Sequence, residues 1–329
     1  MTSSPKVTIS DIEDAARRLA GMAVVTPLLE SPVVNERLGG RLLVKAEPMQ
    51  RTGSFKFRGA YNRLSRIDGE ARKRGVVAYS SGNHAQGVAA AAQILRMPAV
   101  IVMPADAPAI KIRNTKSYGA EVVTYDRLNE SREAIGQKLQ RERGAVLVPP
   151  FDDPFIIAGQ GTIGLELAQQ SEAAGAALDA VLAACSGGGL LAGIATAIKA
   201  RRPSVAVYAA EPQGFDDMSR SLNSGRRETN EPGARSICDA LLSPAPGELT
   251  FPIASRLVSG GFAVSDDEVR RAMAVAFEDY KLVVEPGGAV ALAAVLSGKF
   301  PVRGKTVAVV CSGGNVDPDV FVSAIRAAA

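Results

Sequence analysis

Histidine occurs once in 329 residues, cysteine three times, and aromatic residues make up only 5% of the chain. With His84 alone, a multi-histidine metal centre is impossible, and a Ser-His-Asp hydrolase would have to use that one imidazole. Cys185, Cys238 and Cys311 cannot all pair internally, and none forms a C-x-x-C. Cys185 and Cys311 end apolar runs, so they read as buried, reduced thiols of a cytoplasmic protein. The 38 basic and 34 acidic residues leave a net charge of only +4, spread in pairs such as Arg201-Arg202. No basic stripe with interleaved aromatics is present, so nucleic acid is not an expected partner. No window approaches an uncharged membrane span, and no basic-then-apolar leader follows Met1, so neither membrane insertion nor secretion is expected. Chemistry is left to lysine, carboxylates, hydroxyls or a borrowed cofactor.

What the chain has is small apolar side chains: 47% of its residues are hydrophobic, with abundant alanine. This suits close packing of helices on sheets. Ser10 and Glu13 have the spacing of a capping box that opens a helix over residues 11–20. Strands are expected at 41–45, 76–80, 99–103, 121–125, 145–148, 180–185, 206–209 and 306–311. Helices are expected between them, among others at 85–95, 111–118 and 129–144. Continuous β-rich runs separated by helices predict an α/β protein with parallel sheets covered on both faces. The unit from 76 to 148 is compact and bounded by the charged 67–75 segment and the Pro149-Pro150-Phe151-Asp152-Asp153-Pro154 run. It reads as a small domain (68–149) inserted in a large discontinuous one (1–67 plus 150–329). Residues 226–236 are polar and contain Gly and Pro, as a surface loop would.

Lys56 lies in the run Thr52-Gly53-Ser54-Phe55-Lys56-Phe57-Arg58-Gly59-Ala60. A Ser54 cap with Phe57, Ala60, Tyr61 and Leu64 on one face predicts an amphipathic helix with Lys56 in its first turn. The helix dipole and two flanking phenylalanines both disfavour a cation there, so the amine deprotonates easily. A neutral, sheltered amine is what carbonyl chemistry requires of a Schiff-base lysine. The bland alternative is a surface lysine whose stem lies along the helix.

Three strands end in turns of small polar residues: Ser80-Ser81-Gly82-Asn83-His84, Ser186-Gly187-Gly188-Gly189 and Ser312-Gly313-Gly314-Asn315. In a parallel sheet such ends are where ligands bind. The triple glycine before Leu190 lets backbone amides converge at a helix N-terminus, which makes a phosphate cradle. It lacks the Gly-Lys-Ser/Thr of a Walker loop, and the G-x-G-x-x-G spacing of a nicotinamide oxidoreductase fails. A phosphate site without a nucleotide signature, beside an activated lysine, points to pyridoxal 5'-phosphate (PLP). Its aldehyde would bond Lys56 and its phosphate would occupy the glycine loop. Ser312 could partner the ring nitrogen, Asn83 the phenolic oxygen, and the Ser81-Gly82-Asn83-His84 turn a substrate carboxylate.

These motifs, in this order, resemble the fold-type II PLP enzymes of the serine/threonine dehydratase and serine racemase family, which have a tryptophan synthase β-like two-domain architecture. Ala158-Gly159-Gln160-Gly161-Thr162, Tyr208-Ala209-Ala210-Glu211-Pro212 and Glu285-Pro286-Gly287-Gly288-Ala289 extend the match over nearly the whole chain. The resemblance implies a lyase that converts a 3-hydroxy amino acid of the L-threonine or L-serine type to a 2-oxo acid and ammonia. Lys56 would carry the cofactor and act as base, with Phe55, Asn83, Glu285 and Ser312 around the ring and Ser186 to Leu190 on the phosphate. Ser81 sits where racemases place the acid/base of the opposite face, so serine or aspartate racemisation stays open. Gly82, His84 and Arg132 would lie near the substrate. Arg132, in Glu130-Ser131-Arg132-Glu133, suits a second carboxylate as in 3-hydroxyaspartate, or else pairs with glutamates on a solvated helix.

The resemblance also implies a divalent-cation site, Mg2+ or alternatively Ca2+ or Mn2+, at Glu211, the Phe215 carbonyl and Asp217. Helix capping by Asp216 and Asp217 is the alternative there. A homodimer or dimer of dimers is implied as well. The sequence departs from the pattern at Ser186, Ala240 and Gly287, and Ala240 would narrow the pocket. No regulatory extension follows the last motif, so feedback inhibition is not expected.

Overall fold

The computed structural model describes residues 7–80, 82–107, 109–127 and 129–328. Its strands are β1 (Leu28–Glu30), β2 (Arg41–Ala46), β3 (Val76–Tyr79), β4 (Ala99–Pro104), β5 (Glu121–Tyr125), β6 (Val146–Leu147), β7 (Ala180–Ala184), β8 (Ala206–Pro212), β9 (Gly260–Val264) and β10 (Thr306–Cys311). They form a six-stranded sheet ordered β1-β2-β10-β7-β8-β9 and a four-stranded sheet ordered β5-β4-β3-β6. Every strand pair is parallel except β1 with β2. The chain is therefore mixed α/β, with helices flanking both sheets.

Successive side chains of a strand point to opposite faces, and the large sheet uses both faces. Leu42, Val44, Leu182 and Val309 enter one core with the helices Asp266–Tyr280 and Pro286–Leu296. Their neighbours Leu43, Val181, Ala183 and Val310 enter another with the helices Pro154–Ala173 and Gly189–Arg201. That is why these strands read as unbroken apolar runs rather than alternating ones. The small sheet is less symmetric. Val76, Ala78 and Ile101 join a large core with the helix Asn83–Leu95, whereas Val77 and Val100 share a small one with Ala145.

Several local expectations are corrected. The first helix is Ile9–Leu19, and its capping box uses Thr8 and Asp11 in place of Ser10 and Glu13. Ser54 caps nothing: it is extended and bridges Gly313, Phe55 is the N-cap, and the helix Lys56–Leu64 begins one residue later. The expected helix at 129–144 is Arg132–Arg143, because Ser131 supplies the cap through its Oγ to the N–H of Ala134. The short edge strand β1 and the glycine-led β9 carry too few apolar residues to signal themselves.

A buried ion network anchors the lysine-bearing helix. The Arg58 guanidinium donates to both oxygens of Glu47, at 2.8 and 2.9 Å, and to both oxygens of Glu166, at 2.5 and 2.9 Å. Lys45 of β2 joins at 2.6 Å from Glu166. Arg58, Glu47 and Lys45 are essentially inaccessible. Their mutual pairing makes that burial tolerable and fixes the helix two residues past Lys56.

Candidate active site

The C-terminal ends of β3, β7 and β10 face one cleft, lined by Lys56, Asn83, His84, the glycine loop, Glu285 and Ser312 among others. Lys56 is the first residue of its helix. Its Nζ donates to the Pro150 carbonyl at 2.8 Å and lies 5.2 Å from the centre of the Phe55 ring. Desolvation lowers its pKa to about 8, opposed in part by the charge of Glu285. The strand-end turn of β10 holds this lysine in register, because the Phe55 N–H donates to the Ser312 carbonyl at 3.1 Å.

The glycine loop is pinned from behind. The Gly187 carbonyl accepts from Thr250 Oγ1 at 2.6 Å and from the Gly247 N–H at 3.1 Å. In a planar trans peptide the next N–H, that of Gly188, is then turned the opposite way. A Cβ on Gly187 would come within 2.4 Å of the Phe151 ring, so the loop has no room for a side chain there. Gly188, at φ +94°, caps the helix Gly189–Arg201. Asp152 supports the assembly through the N–H groups of Glu248, Leu249 and Thr250. Ser186, at the departure from glycine, accepts the Ser243 N–H on its Oγ at 3.2 Å. Leu190 is buried behind the loop.

Asn83 opens the helix Asn83–Leu95 and is oriented from both ends. Its amide nitrogen donates to Glu285 Oε1, and its oxygen accepts from Asn315 Nδ2 at 2.9 Å. His84 is buried; its Nε2 donates to the Val148 carbonyl at 3.0 Å, and burial together with the Lys56 charge lowers its pKa to about 3. It is therefore neutral at working pH, with Nδ1 a buried acceptor that has no partner among the described residues. Gly82 touches the stem of Lys111 closely, since a Cβ there would meet Lys111 Cδ at 2.4 Å. Ser81 lies outside the described residues.

The small-sheet side of the cleft is polar. Arg132 lines it, stacked 5.6 Å over the Tyr79 ring, and it also pairs with Glu133 at 2.8 Å. Arg132 thus both lines the cleft and pairs with a glutamate of its own helix. Sequence reasoning missed Lys111, Tyr79 and Arg127 on this wall, and Asp239 facing it from the large-sheet half. Nothing in the periodicity marks Lys111, because a buried charge on a short helix looks like any surface lysine until its partners are seen.

Glu211 and Asp217 lie apart from the cleft lining, at the end of β8 and the start of the helix Asp217–Ser224. Burial raises their pKa to about 8 and about 6, and the charge of Asp217 pushes Glu211 up further. Glu211 accepts the N–H groups of Met218 and Ser219 at 2.9 Å, while Asp217 Oδ2 is buried without a partner. A buried carboxyl pair with an orphaned oxygen suits a divalent cation with all-oxygen ligands. Among the described residues no cluster of three His, Cys, Asp or Glu side chains exists, so such a site would depend on a backbone ligand such as the Phe215 carbonyl. Asp216 makes no capping bond with its side chain.

A strand-end cleft with an amine of lowered pKa, a glycine cradle and a preset amide defines a cofactor-dependent enzyme of amine chemistry. The comparisons carry this further: the sequence profile described as "Pyridoxal-phosphate dependent enzyme" matches residues 21–313, and the chain belongs to that family. It is 44% identical over 316 residues to an L-threo-3-hydroxyaspartate ammonia-lyase from Pseudomonas sp, covering 96% of this chain and 98% of that one. The crystal structure of a threonine deaminase from T.th. matches with TM-score 0.89 and 46% identity, covering 94% of this chain and 99% of that one. Maize serine racemase matches with TM-score 0.91 and 38% identity, covering 98% of both. The fold is therefore fold-type II.

Proposed function

We propose that this chain is a PLP-dependent ammonia-lyase that converts a 3-hydroxy amino acid of the L-threonine or L-serine type into a 2-oxo acid and ammonia. The observation that carries the site assignment is the Lys56 amine, sheltered and easily neutralised, facing a glycine cradle, Asn83 and Ser312 in one cleft. When bound, the cofactor supplies an electron sink that makes the substrate α-proton removable. The chain's own residues do the rest. Ser186 to Leu190 hold the phosphate, Phe55, Asn83, Glu285 and Ser312 surround the ring, and the turn at Ser81, Gly82, Asn83 and His84 receives the substrate carboxylate. Lys56 carries the cofactor and, as a neutral amine, takes the α-proton. Ser312 offers a hydroxyl where a carboxylate would hold a ring proton, which leaves the sink weak and favours prompt loss of the β-hydroxyl.

His84 stays neutral and presents an acceptor to the substrate. Glu211, Asp217 and the Phe215 carbonyl would hold a divalent cation such as Mg2+, whose charge would offset two buried carboxyls. The division into a 68–149 domain and a 1–67 plus 150–329 domain follows the two sheets. The exposed side chains of Val24, Val25 and Met49 support a homodimer. Three buried free thiols support a reducing, cytoplasmic location.

The test is reconstitution with PLP. A yellow protein with borohydride-trapped cofactor on Lys56, and 2-oxo acid release from L-threonine or L-serine, is the expected outcome. A protein that stays colourless after incubation overturns the proposal. Arg132 and Arg127 on the cleft wall favour a second reading, a dicarboxylic 3-hydroxy acid such as 3-hydroxyaspartate. Racemisation through Lys56 and Ser81 is separated from both by chiral analysis of recovered serine.

A further inference from the structure

Lys111 is a fully enclosed lysine on the helix Ala109–Ser117, contributed by the small-sheet half of the chain. Its ammonium lies 2.7 Å from Asp239 Oδ2 and 3.2 Å from Glu285 Oε2, both contributed by the large-sheet half. A lysine in an amino-acid pocket would ordinarily be assigned to the substrate carboxylate. This one is already paired with two carboxylates, and its stem is pressed against Gly82. Its charge is therefore committed to those partners.

Both carboxylates line the cleft, and Glu285 is the one bonded to Asn83. Its other oxygen, Oε1, accepts from the Asn83 amide, and the Asn83 oxygen accepts from Asn315 Nδ2, which also donates to the Thr52 carbonyl at 2.8 Å. The chain of bonds is directional. An ionised carboxylate only accepts, so Asn83 must point its nitrogen at Glu285 and its oxygen at Asn315. A Glu285 protonated on Oε1 would become a donor there, and the Asn83 amide would then have to turn over. Asn315 Nδ2 would then meet nitrogen, and the pocket would face acceptor where it had a donor.

We propose that Lys111 is a positioning residue of this active site: by bridging Asp239 and Glu285 across the two halves, it holds Glu285 as an acceptor and so fixes the orientation of Asn83. The inference rests on the assignment of Asn83 to the cofactor ring. The charged and titratable groups facing Glu285 are Lys111, Asp239, Cys238 and Lys56. Burial and Asp239 raise its pKa, and Lys111 lowers it. Lys111 itself is driven up to about 12 by the two carboxylates and remains a cation throughout the working range.

The experiment compares wild type, Lys111→Met, Lys111→Arg and Asp239→Asn by PLP titration of the apoproteins and by the absorption spectrum of bound cofactor against pH. Lys111→Met is expected to bind PLP roughly tenfold more weakly, the weight of one charge-assisted hydrogen bond. Its spectrum acquires a titration step that wild type lacks, and adding Glu285→Gln removes that step. Lys111→Arg restores the flat profile. Asp239→Asn removes one anchor of Lys111 together with a repelling neighbour of Glu285, so it is expected to lose less PLP affinity than Lys111→Met and to show no new step. Lys111→Met with wild-type affinity and no new step overturns the proposal, as does a new step in Lys111→Arg, which stays informative if Lys111→Met fails to fold. Wild-type protein that binds no PLP refutes the cofactor assignment instead, so the two failures are distinguishable.

Discussion

The two walls of the cleft are built in different ways. The large-sheet wall is mostly backbone: glycine amides behind β7 and a Ser-Gly-Gly turn behind β10, held by hydrogen bonds among themselves and to Thr250 and Phe55. The small-sheet wall is mostly long side chains: Lys111, Arg127, Arg132 and Tyr79. A phosphate and a flat ring need fixed donors at fixed points, which a closely packed parallel sheet supplies through its strand ends. A substrate side chain needs reach and charge, which only flexible residues on a thinner layer can give. The difference separates what the site does from what it accepts.

The largest effect falls on the amine at the junction. Lys56→Ala should reduce turnover by roughly a thousandfold or more, and borohydride should no longer fix cofactor to the chain. Its pH dependence has a definite sign. With a pKa near 8, the amine is neutral above that value and charged below it. The rate at which apoprotein takes up PLP should therefore rise as pH increases through about 8 and level off beyond. A rate that falls over that interval would contradict the assigned environment.

Next come two changes directed at the supports of the large-sheet wall. Arg58→Met strands the buried carboxylates of Glu47 and Glu166 and should cost about 3–5 kcal/mol of stability, read as a lowered denaturation midpoint. Gly187→Ala drives a methyl into the Phe151 ring, an overpacking cost of about 1–3 kcal/mol. It should appear as roughly tenfold or greater weakening of PLP binding, with comparable loss on every substrate. If Gly187→Ala instead discriminates among substrates, the separation of the two walls is wrong.

The same contrast explains what could be read from the sequence. Lys56, the glycine loop and the Ser312 turn were legible because each is a local pattern with one physical purpose: a residue type at a strand end or helix start. The parallel sheets were legible because strands buried on both faces read as continuous apolar runs, as in β7 and β10. Lys111 and Asp239 were not legible, because 128 positions separate them and neither belongs to a pattern until the fold brings them together. The Ser54 cap failed for a related reason. Its backbone is claimed by Gly313, a long-range pairing that overrides the local preference for a helix start.

On the small-sheet wall, Arg132→Ala should raise KM for 3-hydroxyaspartate about tenfold and leave serine nearly unaffected, as expected for one guanidinium–carboxylate contact. Equal effects on both substrates would remove Arg132 from the recognition of a distal carboxylate.

The smallest expected effect is also the most selective. Ser131 accepts the Ala134 N–H at 3.2 Å and so starts the helix whose first residue is Arg132. Ser131→Ala should cost that helix about 1 kcal/mol, because an orphan N–H loses its acceptor. The cap lies outside the large-sheet cores, so PLP affinity should stay unchanged. Arg132 would then be held less firmly over Tyr79, and a dicarboxylic substrate should lose up to about fivefold in kcat/KM where serine loses almost nothing. Kinetics on both substrates, with PLP titration as the control, separates a local loosening of one wall from a general loss of fold. A parallel fall in PLP affinity would show that the two walls are mechanically coupled through more than the Lys111 bridge.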